Sequence, residues 1–441
     1  MQKIPSHRSA RRAGVTLLLM AVLVGPLSAA EFPLKDGDTW VMAGDSITAQ
    51  HLHSNYYEAY CFARFPKLKF RFRNSGVGGD TIPKVIARFD WDVAAWKPTV
   101  VSVELGMNDQ GGFPVDKFIE NMGLLDGKIR GVAARPVYFT SSPINSGDTM
   151  AKLGGNTKLH QYAEALKKFS AEKEAPFADQ FHAVIDVWGK NKPRESLAVA
   201  LEATEKMAKD DTLAGVEHLR AFLAVQAKGP RPVSMQGDPV HPGPPGQLTM
   251  AAALLKELGA PGFVSSATLD ANGKVSEAKG CVVDGVKADG SKLAFDRLDE
   301  CLPFPIPDDA RAVLPLDPTI LELSQYTLKI TGLTGERYVL HANDAPLATL
   351  TAKELEAGVN LTSFGTGAIA AQGKAILSAV SAKEGLVGQW RGQSKAASSA
   401  EAAPDVKEKF AALTKRVEEA DAKIREAATP KKLHFELIPA N

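Results

Sequence analysis

The sequence predicts an α/β fold: a central parallel sheet covered on both faces by helices, followed by a β-rich region and a helical hairpin. Three observations carry this. Between residues 40 and 260, short apolar runs alternate with longer stretches of helical period, the pattern of a parallel sheet packed between helices. After Gly259-Ala260-Pro261-Gly262 the chain turns to strand-like segments separated by turns. Near the C-terminus, Val406, Phe410, Leu413, Val417, Ala420 and Ile424 recur at steps of four and three, fit for packing one helical stripe on a partner. A chain of 441 residues is too long for one ordinary core. The expected organisation is a leader over 1–30, an α/β domain over 31–262, and an accessory region over 263–441.

At the N-terminus, Lys3, Arg8, Arg11 and Arg12 precede an apolar run that ends in Gly25-Pro26-Leu27-Ser28-Ala29-Ala30. A basic start, a short apolar centre and a small-residue end describe a secretory signal peptide, with cleavage expected after Ala30. The run is too short to span a bilayer comfortably. The expected fate is export to the periplasm or the medium, with no integral membrane segment left after cleavage.

Strands are expected at residues 40–43, 69–73, 100–104, 136–140 and 182–187. Helices fall between them, at 52–62, 81–88, 115–133 and 157–173. Residues 190–236 read as a helical excursion, at 195–207 and 213–226, either walling the cleft or forming a solvated pair. In the second region, strands are expected at 263–269, 281–286, 292–295, 326–331, 337–341, 347–350 and 434–438. The stretch Leu302-Pro303-Phe304-Pro305-Ile306-Pro307 is no central strand, because prolines cannot donate to the ladder, and reads as an extended segment crossing a surface. Helices at 368–387 and 405–427 close the chain as an intramolecular hairpin.

Lys+Arg 52 against Asp+Glu 51 leaves no global field for nucleic acid or an anionic membrane, and no basic stripe revives a nucleic-acid partner. Of three cysteines, Cys281 and Cys301 flank strand-like sequence and could pair in an exported protein, while Cys61 reads as a buried small residue.

Four segments read together as a site: Gly44-Asp45-Ser46-Ile47-Thr48, Asn74-Ser75-Gly76-Val77-Gly78-Gly79-Asp80-Thr81, Gly106-Met107-Asn108-Asp109 and Asp238-Pro239-Val240-His241. The first three each follow a predicted strand, where parallel sheets bind ligands. A serine hydroxyl is a poor nucleophile until a base takes its proton; His241 can take it from Ser46, and Asp238 can fix the imidazole's tautomer. The backbone N–H groups of Ser46 and Gly79 and the side-chain amide of Asn108 would supply oxyanion donors, each worth roughly 3 kcal/mol of barrier. Asp45, Asp80 and Asp109 are expected to cap helices or brace loops. His51 and His53 lie close to Ser46 without an aspartate at suitable spacing; surface positions, or the substrate entrance, are expected for them. They also lack further ligands at recognisable spacing, so no metal site is expected there.

These four blocks resemble those of the SGNH hydrolases, the GDSL esterase/lipase family, over about residues 38–259. Ser46, Gly79, Asn108, and the pair Asp238 and His241 stand in the family's four blocks in order. The resemblance implies a three-layer α/β/α sandwich, hydrolysis of acyl or acetyl esters, and no cofactor. No Gly-x-Ser-x-Gly elbow surrounds Ser46, which separates this pattern from the α/β-hydrolases. The leading expectation is an exported serine esterase acting on a small-molecule or polysaccharide ester, most of all acetyl. One alternative is a lipase, lysophospholipase or thioesterase for longer chains; another is a non-catalytic carbohydrate-binding or envelope scaffold. Polar residues at His51, His53, Asn55 and Tyr56, read as open loop, favour the polar substrate.

Overall fold

A computed structural model of the chain describes residues 31–144, 156–227, 235 and 237–440, with backbone alone over 190–199. The expected signal peptide and residues 228–234 of the expected helical excursion lie outside the described residues. Strand β1 (Thr39–Gly44) leads into a single helical turn, α1 (Ser46–Ala49), and then α2 (His53–Arg64). Next come β2 (Arg71–Gly76), α3 (Ile82–Arg88), β3 (Val100–Glu104), α4 (Val115–Gly131) and β4 (Arg135–Phe139). Helix α5 (Thr157–Glu172), the two-residue β5 (Phe177–Ala178), α6 (Gln180–Met207), α7 (Val216–Gln226) and α8 (Pro244–Glu257) complete this part.

The five strands form one parallel sheet in the order β2-β1-β3-β4-β5. Alternation along each strand splits the core into two layers. Trp40, Met42, Phe72, Val100, Val137 and Phe139 face α2 and α8, while Val41, Ala43, Val101, Val103 and Tyr138 face α3, α4 and α5. This is the three-layer α/β/α sandwich. The chain moves from β1 to β2 on one side and then returns to β3 on the other. The crevice beyond the ends of β1 and β3 is therefore the switch point where such sheets bind ligands.

One strand differs from expectation. Residues 182–187 are helical, inside α6, and the fifth strand is only Phe177–Ala178. Asp179 caps α6 by accepting from His182 N at 3.1 Å, so the apolar run Ala183-Val184-Ile185, β-branched at Val184 and Ile185, follows a helix start rather than a turn. In α7, Phe222 and Val225 are exposed, which fits a solvated helix rather than a wall of the cleft.

Beyond residue 262 two further sheets face each other. One, in the order β13-β10-β6-β7, is built from β6 (Phe263–Asp270), β7 (Val275–Lys279), β10 (Gln325–Thr331) and β13 (Val359–Asn360). The other, β12-β11-β14-β9-β8, uses β8 (Cys281–Asp289), β9 (Lys292–Asp299), β11 (Arg337–Ala342), β12 (Ala345–Thr351) and β14 (Leu433–Pro439). Ala267, Leu328 and Ile330 from the first pack against Phe295, Leu340 and Phe435 from the second. Short helices α9 (Thr319–Glu322) and α10 (Ala352–Ala357) lie in the connections. The hairpin is α11 (Gly367–Ala397) and α12 (Pro404–Ala427), with Leu413, Val417, Ala420 and Ile424 buried as the repeat predicted.

Residues from 31 onward make one compact unit. Leu302, Phe304 and Ile306 do not merely cross a surface: every second residue of that proline-rich stretch enters the core that α2 and α8 share. Cys281 and Cys301, whose pairing the sequence left open, do not pair; both are free thiols facing backbone carbonyls, Cys281 that of Ser266 and Cys301 that of Val264. Cys61 is buried and free. No helix among the described residues is long and apolar enough to cross a membrane.

Candidate active site

Register brings the site together. Gly44 lies opposite both Gly76 and Glu104, so β1, β2 and β3 end level and their following loops share one edge. Ser46 opens α1 immediately after β1. Asp45 caps that turn, its Oδ1 accepting from Ile47 N at 2.9 Å. No side chain fits at Gly44 or Gly76: a Cβ would lie 2.0 Å from Thr48 Oγ1 or 2.5 Å from Ala49 N. Both glycines let α1 sit directly on the strand ends.

His241 Nε2 is 2.7 Å from Ser46 Oγ, and His241 Nδ1 is 2.7 Å from Asp238 Oδ2. The other Asp238 oxygen accepts from Val240 N at 2.7 Å and His241 N at 2.8 Å. Hydrogen bonds from the His241 backbone and side chain hold the Asp238 carboxyl down at about 2. A carboxylate accepts only, so His241 Nδ1 carries the hydrogen and Nε2 faces the serine with its lone pair. That is the tautomer a general base needs.

Gly79 has φ +73° and open space around its α-carbon, in a turn where Asp80 N bonds Val77 O. Asn108 Nδ2 donates to Asp80 O at 2.9 Å and stands 3.5 Å from Asp45 Oδ2. Asn108 thus touches the turn that follows Gly79 and the residue that precedes Ser46. Arg88 braces the same turn from below, donating to Asp80 Oδ2 and to Ser75 O, both at 2.7 Å. Asp109 Oδ1 accepts from Ile82 N at 3.0 Å at the start of α3. Burial pushes the Asp45 carboxyl up to about 8, with the Glu104 charge adding to it.

Sequence reasoning missed the polar layer beneath Ser46. His53 is neither at the surface nor at the entrance: it is buried, with Nε2 2.9 Å from Glu104 Oε2 and Nδ1 3.0 Å from Gln247 Oε1. Glu104 also accepts from Thr48 Oγ1 at 2.7 Å and Gln180 Nε2 at 2.6 Å. Burial alone would lower the His53 imidazole, but the Glu104 carboxylate and two hydrogen bonds outweigh it and raise it. Burial alone would raise Glu104, but the His53 charge together with hydrogen bonds from His53, Thr48 and Gln180 outweighs it and lowers the carboxyl. Gln247 completes the layer: it accepts from His53 N at 2.9 Å and donates to Pro242 O at 3.1 Å, joining α2 to the His241 loop. An acid at the end of β3 was the available signal. Asn55 and Tyr56 are buried too, so the open polar loop expected there is a packed helix. His51, with φ 57°, remains half-exposed beside Glu384 of α11.

Residues 42–248 match the model of the GDSL-like Lipase/Acylhydrolase family. The protein is a carboxylic ester hydrolase of that class. Among solved structures, BT4096, described as a gut microbial diltiazem-metabolizing enzyme, aligns over 93% of this chain and 99% of its own, at 22% identity and TM-score 0.71. Axe2, an acetylxylan esterase from Geobacillus stearothermophilus, aligns over 51% of this chain and 95% of its own, at 20% identity and TM-score 0.36. No curated protein sequence matches.

Proposed function

We propose that this protein is an exported serine esterase that removes short O-acyl groups, acetyl above all, from carbohydrate. The observation that carries the mechanism is the unbroken line from Ser46 Oγ through His241 to Asp238, two contacts of 2.7 Å each. His241 takes the Ser46 proton as the hydroxyl attacks the ester carbonyl, and returns it to the departing alcohol. The N–H groups of Ser46 and Gly79, with the Asn108 amide, receive the oxyanion. Water then repeats the cycle against the acyl-serine, releasing the carboxylic acid.

A short acyl group is favoured by the surroundings of the nucleophile. Ile47 and Met107, the chain neighbours of Ser46 and Asn108, are buried against Leu159, Phe181 and Met250 rather than presented to a long acyl chain. Carbohydrate rests on the appended β-rich region and, by analogy alone, on acetylxylan esterase activity in a related fold. Export rests on the N-terminal pattern of residues 1–30.

The test is a p-nitrophenyl ester series and acetylated polysaccharides, with Ser46→Ala as control. Acetyl esters should turn over faster than octanoyl esters, and Ser46→Ala should remove the activity. A clear octanoyl preference would sink the acetyl reading. Turnover unchanged in Ser46→Ala would sink the mechanism.

A further inference from the structure

Where α5 meets the start of α6, three ligating side chains converge outside the catalytic line. His160 and Glu164 stand one turn apart on α5, and His182 lies in the first turn of α6. Their ligating atoms all fall within 4.8 Å of one another. The imidazoles are closest, with His160 Nδ1 2.9 Å from His182 Nε2 and the rings nearly perpendicular at 87°. Phe181 packs beside both rings.

A second observation sets the chemistry. His182 Nδ1 lies 2.6 Å from Asp179 Oδ2, and the other Asp179 oxygen is held by His182 N and by Thr140 Oγ1. The carboxylate only accepts, so Nδ1 carries the hydrogen and Nε2 presents its lone pair to the space shared with His160 and Glu164. A histidine oriented by an outer carboxylate, its free nitrogen aimed at a second imidazole and an acid, is the arrangement found around protein-bound metals.

We propose that His160, Glu164 and His182 form a site for one divalent transition metal, zinc by preference. Two imidazoles and a carboxylate are the donor set zinc takes with a fourth position left open. Bonds of about 2.0–2.1 Å in a tetrahedron set neighbouring ligands roughly 3.3 Å apart, so the imidazole pair needs to open by only a few tenths of an ångström. Glu164 is exposed and free to swing in. The competing arrangement is a hydrogen bond from His160 Nδ1–H to His182 Nε2. Metal binding replaces it by moving the His160 hydrogen to Nε2, with no net proton released. The site lies beside the catalytic edge. Leu159, Ala163 and Phe181, its chain neighbours, pack in one cluster with Ile47, Met107 and Val240, the neighbours of Ser46, Asn108 and His241. An ion there would tie α5 to α6 and offer an open coordination position at the rim of the cleft. It takes no part in the Ser46 mechanism and stands independently of it.

The full chain, free of any affinity tag and stripped with chelator, is titrated with zinc chloride by calorimetry and with cobalt(II) by visible absorption. One equivalent of zinc should bind, and cobalt should develop the intense visible band of a four-coordinate site. His160→Ala and His182→Ala should each lose both signals, and Asp179→Asn should weaken zinc binding about 10- to 100-fold. Ser46→Ala should bind like the parent. Circular dichroism checks the fold; should a histidine variant fail to fold, the exposed Glu164→Ala decides, with an expected weakening of about tenfold or more. Absence of stoichiometric zinc binding by the parent protein, or binding undiminished in the folded variants, overturns the proposal.

Discussion

Asp238 side-chain exposure is 54%, unusual for a residue proposed to orient a catalytic histidine. Burial does not hold it; two backbone N–H groups on one oxygen and the imidazole on the other do. Because its carboxyl stays ionised down to about pH 2, Asp238 does not set the acid limit of activity. Asp238→Asn should leave the fold intact and lower kcat by up to about 10⁴, through the wrong imidazole tautomer. Steady-state kinetics with a melting curve checks this; a loss under tenfold would contradict the assigned role. Asp45 behaves in the opposite sense. The unfolded chain loses this proton near pH 4, whereas the folded protein keeps it to about pH 8. Between those values the native state binds more protons, so stability falls as pH rises, by up to about 1.4 kcal/mol per unit. Asp45→Asn removes that slope. Urea midpoints at pH 5 and pH 8 should show the variant gaining on the parent as pH rises; parallel curves would contradict the burial argument. None of this is legible in the sequence, where Asp45 is only a capping residue.

The segments of the candidate site were legible at the level of elements because each is local: a serine, a glycine turn and an asparagine, each just after a predicted strand. The fifth strand was not, since two residues carry no periodicity and the apolar run that suggested a strand lies inside α6. His53 was misread for a related reason. Its partners Glu104 and Gln247 lie 51 and 194 positions away, and only the parallel register brings β3 under α2. The tight seat of α1 on the strand ends has its own test. In Gly76→Ala the new Cβ meets backbone atoms of Thr48 and Ala49, which cannot swing aside. The cost should be about 1–3 kcal/mol, with a fall in kcat as α1 shifts Ser46. Urea denaturation and kinetics on one preparation check both, and unchanged values for both would contradict the tight seat.

Across the whole molecule, the C-terminal hairpin braces the catalytic sheet. Lys383 Nζ on α11 lies 2.8 Å from Glu58 Oε2 on α2 and 2.9 Å from Phe72 O on β2. Arg73 of β2 makes a two-point contact with Asp421 of α12, at 3.0 and 2.7 Å. Arg391 reaches Asp92 and Gly76 O, at the end of β2. These links join residues some 300 positions apart, which is why the sequence shows the hairpin but not what it packs on. Breaking a buried pair leaves a charge uncompensated, so Lys383→Met should cost about 3–5 kcal/mol at neutral pH. Thermal unfolding would show this as a drop in Tm, and an unchanged Tm would mean that the hairpin is not coupled to the sheet.

The central claim is that Ser46 becomes acylated with His241 as its base. Intact-protein and peptide mass spectrometry after acid quench of p-nitrophenyl acetate turnover tests it most directly. One added acetyl group is expected, on the peptide that carries Ser46, absent from Ser46→Ala and strongly reduced in His241→Ala. Turnover with the acetyl group on another residue, or the same labelling in Ser46→Ala, would contradict it.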